Sequence, residues 1–377
     1  MKILMTTDTL GGVWTYAVEL AGALQAHGVH VGLATMGAEL SAGQRAQIAA
    51  LENVTLFESR YKLEWMPDAW DDVRDAGGWL LDLEEQFRPE VVHLNGYAHG
   101  ALPWNSPVLV VGHSCVMSWW EAVKGEPAPP EWDRYRREVR EGLHAADLVV
   151  APSAAMLAAL QRHYGPLPNS RVIHNGRSAA LFGPARKEGL ILSAGRLWDE
   201  AKNVVALSRV ASQLPWPVYA AGDDSPPAGR GWLPAGVRPL GRLEPPALAG
   251  WLGRAAIFAL PARYEPFGLS ILEAALSECA LVLGDIASLR EIWNDAAIFV
   301  APGDDDALRR ALKYLARDPA ARQEMATRAA ARARRYAPAL MAWSYRAAYG
   351  GLIGQAELFD SARTPHGRDA HVTMERP

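Results

Sequence analysis

The sequence predicts an α/β protein made of two doubly wound domains, each a mostly parallel sheet wrapped by helices. Three observations carry that expectation. Short apolar runs alternate with stretches of helical periodicity from the first residues onward, the rhythm of βαβ units. The same rhythm restarts in the second half without an internal sequence repeat, which argues for two similar folds rather than a solenoid. The turn pairs Asn175-Gly176 and Gly183-Pro184 mark a join near the middle of 377 residues, a length that suits two domains.

In the first half, residues 2–5, 29–35, 54–57, 91–94, 108–111 and 148–151 read as strands. Their near-continuous apolar character suits burial on both faces of a parallel sheet. Residues 15–26, 42–51, 78–87, 132–145 and 153–163 read as the helices between them. In the second half, strands are expected at 190–194, 217–220, 237–240, 257–260, 281–283 and 298–300, with helices at 203–214, 246–254, 270–279 and 305–317. Asp304-Asp305-Asp306 stands directly before the last helix. It reads as a cap and dipole partner rather than a metal motif. The expected organisation is therefore a first domain over 1–176, a linker over 177–187 and a second domain over 188–335. A helix over 336–356, aromatic at Trp343, Tyr345 and Tyr349, is expected to return to the first domain, and 357–377 to form a mobile tail.

Composition narrows the function. Hydrophobic residues make up 50% and charged residues 21%, ordinary globular values. A net charge of −4 leaves no cationic excess for a general nucleic-acid binder. The charge is uneven: residues 1–180 hold 14 basic and 21 acidic residues, residues 181–377 hold 24 and 21. The slightly basic half suits an anionic ligand. Cys115 and Cys279 are too few for a disulfide framework or a four-ligand zinc site, and a reducing cytoplasm is the expected compartment. No run of about 18 apolar residues predicts a transmembrane helix. Peripheral membrane contact stays open, because Arg134, Arg136, Arg137 and Arg140 form a local basic strip.

Four segments at strand-to-helix corners are candidates for chemistry. In Glu265-Pro266-Phe267-Gly268-Leu269-Ser270-Ile271-Leu272-Glu273, the backbone at Gly268 and Leu269 opens a helix and offers an anion site. Ser270 and Glu273 also fit a plain capping box, and spacing alone does not decide between the two. Arg196, with Lys202 six residues on, supplies two cations after a strand, to clamp a diphosphate or simply to face solvent. Gly11-Gly12 after the first strand permits close approach of a ligand, or is only a turn. His113 follows another strand and is a polar contact or a structural histidine. Trp119-Trp120, just beyond, offers aromatic faces for an acceptor or ordinary packing.

Taken in order, these segments resemble the retaining glycosyltransferases of family 4, which have the two-domain GT-B fold, over roughly residues 1–356. E-P-F-G-L-S-I-L-E resembles that family's E-x7-E element, with Pro266 where Gly is commoner. Further on, Cys279 and Ala287-Ser288 stand where the family usually has glycine. Gly195-Arg196-Leu197 with Lys202 resembles its diphosphate-binding Arg and Lys. Leu10-Gly11-Gly12 resembles the glycine loop of its first domain, and His113 an acceptor-side strand end.

The resemblance implies transfer of a hexose from a nucleotide diphosphate sugar to an acceptor hydroxyl, with retention and without a metal or other cofactor. UDP-sugar is the first expectation for the donor, and a saccharide or small molecule for the acceptor. It assigns catalytic roles to His113, Glu265, Arg196 and Lys202. It assigns donor contacts to Gly11, Gly12, Phe267, Gly268, Leu269 and Glu273, besides Arg196, Lys202 and Glu265. Trp119 and Trp120 are the acceptor candidates. A nucleotide-sugar 2-epimerase of the same fold and a non-catalytic nucleotide-sugar binder are the alternatives.

Overall fold

The computed structural model describes residues 1–224 and 235–363, with side chains through 356. The first sheet contains β1 (Lys2–Asp8), β2 (His30–Met36), β3 (Val54–Glu58), β4 (Val91–Leu94), β5 (Val108–Val111), β6 (Leu148–Ala151) and β7 (Ser170–Val172). The second contains β8 (Glu188–Ala194), β9 (Val218–Ala221), β10 (Val237–Gly241), β11 (Ala255–Leu260), β12 (Ala280–Gly284) and β13 (Ile298–Val300). Among the described residues the strand orders are β3-β2-β1-β4-β5-β6-β7 and β10-β9-β8-β11-β12-β13. Every pairing is parallel.

Burial explains the strands. β11 is buried along its whole length and β1 from Ile3 to Thr7, because helices cover both faces of each sheet. The first domain supplies α1 (Gly12–Gln25), α2 (Ala42–Ala49), α3 (Trp70–Phe87), α4 (Val116–Lys124), α5 (Asp133–Ala145) and α6 (Ala154–Tyr164). The rest are α7 (Val204–Ala211), α8 (Pro245–Arg254), α9 (Leu269–Leu276), α10 (Ala287–Trp293), α11 (Asp305–Arg317), α12 (Pro319–Ala333) and α13 (Pro338–Arg363).

The structure adds four elements to the expected set: α4, α10, α12 and β7. It also starts α3 at Trp70, where Asp71 and Asp72 complement the positive end of the helix dipole. Asp304 caps α11 through the Ala307 N–H at 2.7 Å, and Asp305 pairs with Arg209. Helix α13 packs Met341, Tyr345, Tyr349 and Leu352 into the cluster built by α1 and the first sheet. Trp343 does not share that face and stands 65% exposed. The helix runs past residue 357, where the tail was expected to begin, and 364–377 lie outside the described residues. The basic strip on α5 is largely paired within itself. Arg134 and Arg137 meet Glu138, and Arg136 meets Asp133. Among the described residues no helix is long and apolar enough to cross a membrane.

Candidate functional site

In an open parallel sheet, ligands bind beyond the carboxyl ends of strands where the strand order reverses. The two reversals here lie between β1 and β4 and between β8 and β11. Asp8 and Asn95 follow the first pair, Gly195-Arg196 and the segment leading to Glu265 the second. The domains meet at these ends. A Cβ placed on Gly12 would lie 3.7 Å from Leu269 Cδ1, and Leu269 packs against apolar clusters of both domains. The four sequence candidates therefore converge on one cleft.

On the second domain, Lys202 Nζ donates to Glu265 Oε2 at 2.6 Å, with the two side chains only 14% and 12% exposed. Arg196 is freer and reaches Asp199 Oδ2 at 3.3 Å. The backbone at Gly195 and Gly222 can pass this corner only because both are glycine. A Cβ on Gly222, whose φ is +138°, would overlap the Gly195 carbonyl oxygen at 1.7 Å.

The capping-box reading of Ser270 and Glu273 does not hold. Gly268, at φ +89°, is the N-cap of α9, and no side chain caps the helix. Ser270 thus sits inside the first turn and donates to the Ala194 carbonyl at 3.2 Å. Glu273 instead accepts from Arg177 Nε at 2.8 Å. Arg177 also holds Glu19 of α1, so one linker cation joins both domains. Burial raises the Glu273 carboxyl above its usual range, against the pull of Arg177. For Phe267 the structure separates side chain from backbone. Its ring is buried and packs edge-on against Tyr336 at 5.5 Å, so only its backbone faces the cleft corner.

On the first domain, His113 belongs to a network whose proton positions follow from donor bookkeeping. Asn95 Nδ2 donates to the Thr6 carbonyl at 2.7 Å, which turns Asn95 Oδ1 toward His113 Nε2 at 2.8 Å and His93 Nε2 at 3.3 Å. A carbonyl oxygen only accepts, so His113 Nε2 carries hydrogen and His113 Nδ1 is an acceptor. His93 lies between two phenols, with Nδ1 2.7 Å from the Tyr349 hydroxyl of α13 and Nε2 3.3 Å from that of Tyr16. Burial pushes both imidazoles down to about 3, with the His113 charge a further cause for His93. They are neutral at pH 7.

Trp119 and Trp120 do not present one flat surface. Their rings are inclined at 63°. The Trp119 indole N–H donates to Asp199 of the other domain at 2.9 Å, while Trp120 packs against the first domain's core. Sequence reasoning missed Asp8, Glu19, Arg177 and Asp199. Asp8 had a visible signal, a carboxylate ending an apolar strand just before Gly11-Gly12. It accepts from the Leu10 N–H at 3.1 Å, and burial raises its pKa against that hydrogen bond and the charge of Arg196. The other three act through contacts distant in sequence.

The pattern of Glycosyltransferase Family 4 matches residues 10–180, and that of Glycosyl transferases group 1 matches residues 188–318. Together the two patterns span both domains, and the chain is similar to family-4 glycosyltransferases along most of its length. It is 30% identical over 279 residues to the glycogen synthase of Mycobacterium tuberculosis, covering 65% of this chain and 64% of that protein, so it spans under two thirds of that relative. An O-antigen chain mannosyltransferase B of Escherichia coli is 31% identical over 107 residues, 28% of each chain. Among solved structures, sucrose-phosphate synthase from Thermosynechococcus elongatus superposes with a TM-score of 0.79 at 19% identity, covering 96% of this chain and 100% of that one. Anabaena HepE, in complex with UDP and glucose, gives 0.71 at 16% identity with the same coverage. The likeness to these solved structures establishes the GT-B fold, two Rossmann-like domains joined across one junction.

Proposed function

We propose that this glycosyltransferase moves a hexose from a nucleotide diphosphate sugar, UDP-hexose in the first instance, to a hydroxyl of a saccharide or small molecule, with retention and without a metal. The observation that carries this is the convergence of Arg196, Lys202 and the uncapped N-terminus of α9 opposite Gly11-Gly12 and His113. The fold neighbour crystallised with UDP and glucose supports the donor class.

Breaking the glycosidic bond places growing negative charge on the leaving diphosphate. Arg196, Lys202 and the positive end of α9 are positioned to stabilise that charge. Glu265, held by Lys202, lies beside the donor sugar. Neutral His113 accepts a donor hydroxyl at Nδ1, and Glu273 takes the ribose hydroxyls. The acceptor hydroxyl attacks from the face the diphosphate leaves and gives its proton to a departing phosphate oxygen, so no protein base is required. Two free, buried cysteines suit a reducing cytoplasm.

Thermal-shift titration with UDP-, GDP- and ADP-glucose tests the donor. A nucleotide sugar at about 100 times its Kd should add about 2.7 kcal/mol of apparent stability. No shift with any of the three would refute the donor class. Product NMR then separates transfer with retention from epimerisation, in which the donor rearranges and no acceptor is consumed.

A further inference from the structure

Tyr264 stands directly before Glu265, yet its ring leaves its own domain. It packs against the first domain's cluster that contains Cys115, Tyr135 and Met156. The phenol oxygen accepts from the Cys115 N–H at 3.2 Å, lies 2.9 Å from Ser118 Oγ and donates to Met156 Sδ at 3.4 Å. Burial raises the Tyr264 pKa well above its ordinary value, so the group acts as a neutral hydroxyl.

The groups it holds matter. Cys115 is the N-cap of α4 and comes two residues after His113, and Ser118 lies in the first turn of α4, before Trp119. Farther along, α4 meets the second domain again through Trp119–Asp199 at 2.9 Å and Lys124–Glu200 at 2.7 Å. On its own side, Tyr264 is anchored through its neighbour. Lys202 holds the Glu265 carboxylate at 2.6 Å, and Ser288 donates to the Glu265 carbonyl at 2.6 Å. A short path therefore runs from Glu265 along the chain to the Tyr264 ring, and through its hydrogen bonds to the loop that carries His113.

We propose that Tyr264 is a positioning residue, a cross-domain peg whose hydroxyl sets the spacing between Glu265 and the His113 loop when the cleft is closed. This rests on the reading that Glu265 and His113 flank the reacting sugar. A hydroxyl in this role contributes to turnover because reacting groups must be held within a few tenths of an ångström of productive geometry. A tyrosine that merely filled core space would be replaced by phenylalanine with little effect on chemistry.

The test is Tyr264→Phe, Ser118→Ala and the double variant. Tyr264→Phe keeps the ring and removes the hydroxyl, leaving a buried N–H unpaired. It should lower kcat by about tenfold with donor KM changed by less than about twofold. Ser118→Ala should lower kcat by a smaller factor. The double variant should lose less than the product of the two single losses, because both changes remove the Tyr264–Ser118 bond, while Ser118 alone also donates to the Cys115 carbonyl at 3.1 Å. Small-angle scattering of the free protein supplies a readout that needs no turnover: Tyr264→Phe should give a larger radius of gyration than wild type. Unchanged kcat, kcat losses that multiply across the two single variants, or identical scattering profiles would each overturn the peg. Were the wild type to transfer no sugar from any of the three donors, the proposed function would fall and the scattering comparison alone would decide the peg.

Discussion

Replacing Arg177 with alanine tests the electrostatics of the hinge. The guanidinium lies between Glu19 and Glu273 with side-chain exposures of 14%, 10% and 8%, so three charges share a nearly dry junction. Breaking such an arrangement by removing one partner costs about 3–5 kcal/mol, because the remaining carboxylates are left desolvated and close to each other. Taking about 3 kcal/mol, and about 2–4 °C per kcal/mol for a domain of this size, Tm should fall by about 6–12 °C at pH 8. The pH dependence carries the sharper prediction. Burial already raises the Glu273 pKa above its unfolded value, with Arg177 opposing, so the variant raises it further. A carboxyl raised in the folded state binds its proton more tightly there. Its favourable contribution is therefore present at low pH and lost as pH rises through the folded value. The deficit of Arg177→Ala relative to wild type should be smaller at pH 5 than at pH 8, as read by thermal and urea denaturation. Arg177→Lys keeps a charge without the fork that reaches both acids, and should fall between. A loss under about 0.5 kcal/mol at pH 8, or one independent of pH, would refute the reasoning.

Four further outcomes are expected. Lys202→Ala and Glu273→Ala should each cut transfer by at least about tenfold, near 1.4 kcal/mol of barrier, and wild-type rates in both would sink the site assignment. His113 is neutral down to about 3, so the pH profile of kcat/KM should show no limb near the ordinary histidine value of 6.5 that disappears in His113→Gln. The same depressed values in His93 and His113 give stability that is present above pH 6.5 and lost as pH falls toward 3, a slope that urea denaturation would read. If Trp119 and Trp120 serve the acceptor, their joint change to alanine should raise acceptor KM more than donor KM. The contact of Trp119 with Asp199 makes a donor-side effect the competing outcome.

The alternation of strands and helices was legible because strands covered on both faces must be apolar throughout. β11 and β12 are buried end to end and read as uninterrupted runs. What escaped had weaker signatures. Helix α4 begins on a cysteine cap, the Cys115 sulfur accepting from the Ser118 N–H at 3.3 Å, and a thiol is a poor sequence marker for a helix start. Helix α12 buries alanines rather than large side chains, so its periodicity is faint, although Asp318-Pro319 at its start was a usable signal. In the site, strand ends and their order were readable, because motif residues sit close together in the chain. Their partners were not. Arg177 reaches Glu273 across 96 positions and Glu19 across 158, and no local pattern encodes such a contact. Phe267 shows a different limit: a motif names a residue without saying whether its side chain or its backbone faces the ligand.

These pairings change how donor binding should be understood. Every cation assigned to the site already has a carboxylate partner: Lys202 has Glu265, Arg196 has Asp199 and Arg177 has Glu273. Under the proposed function a diphosphate would therefore bind by exchange, its net gain being the difference between phosphate and carboxylate contacts rather than the full attraction. The exchange is cheapest at Arg196, whose pair is the longest of the three at 3.3 Å and whose side chain is 42% exposed. Asp199 is also the acid that accepts from the Trp119 indole through Oδ1. When phosphate takes Arg196, Asp199 loses a cation and leans more heavily on that indole N–H. On that reading donor binding at the second domain would bear on α4, which carries the His113 loop at its start, through this shared acid. On the same reading the acidic partners would screen the cleft against casual anions and link occupancy by a nucleotide sugar to the contacts between the two domains.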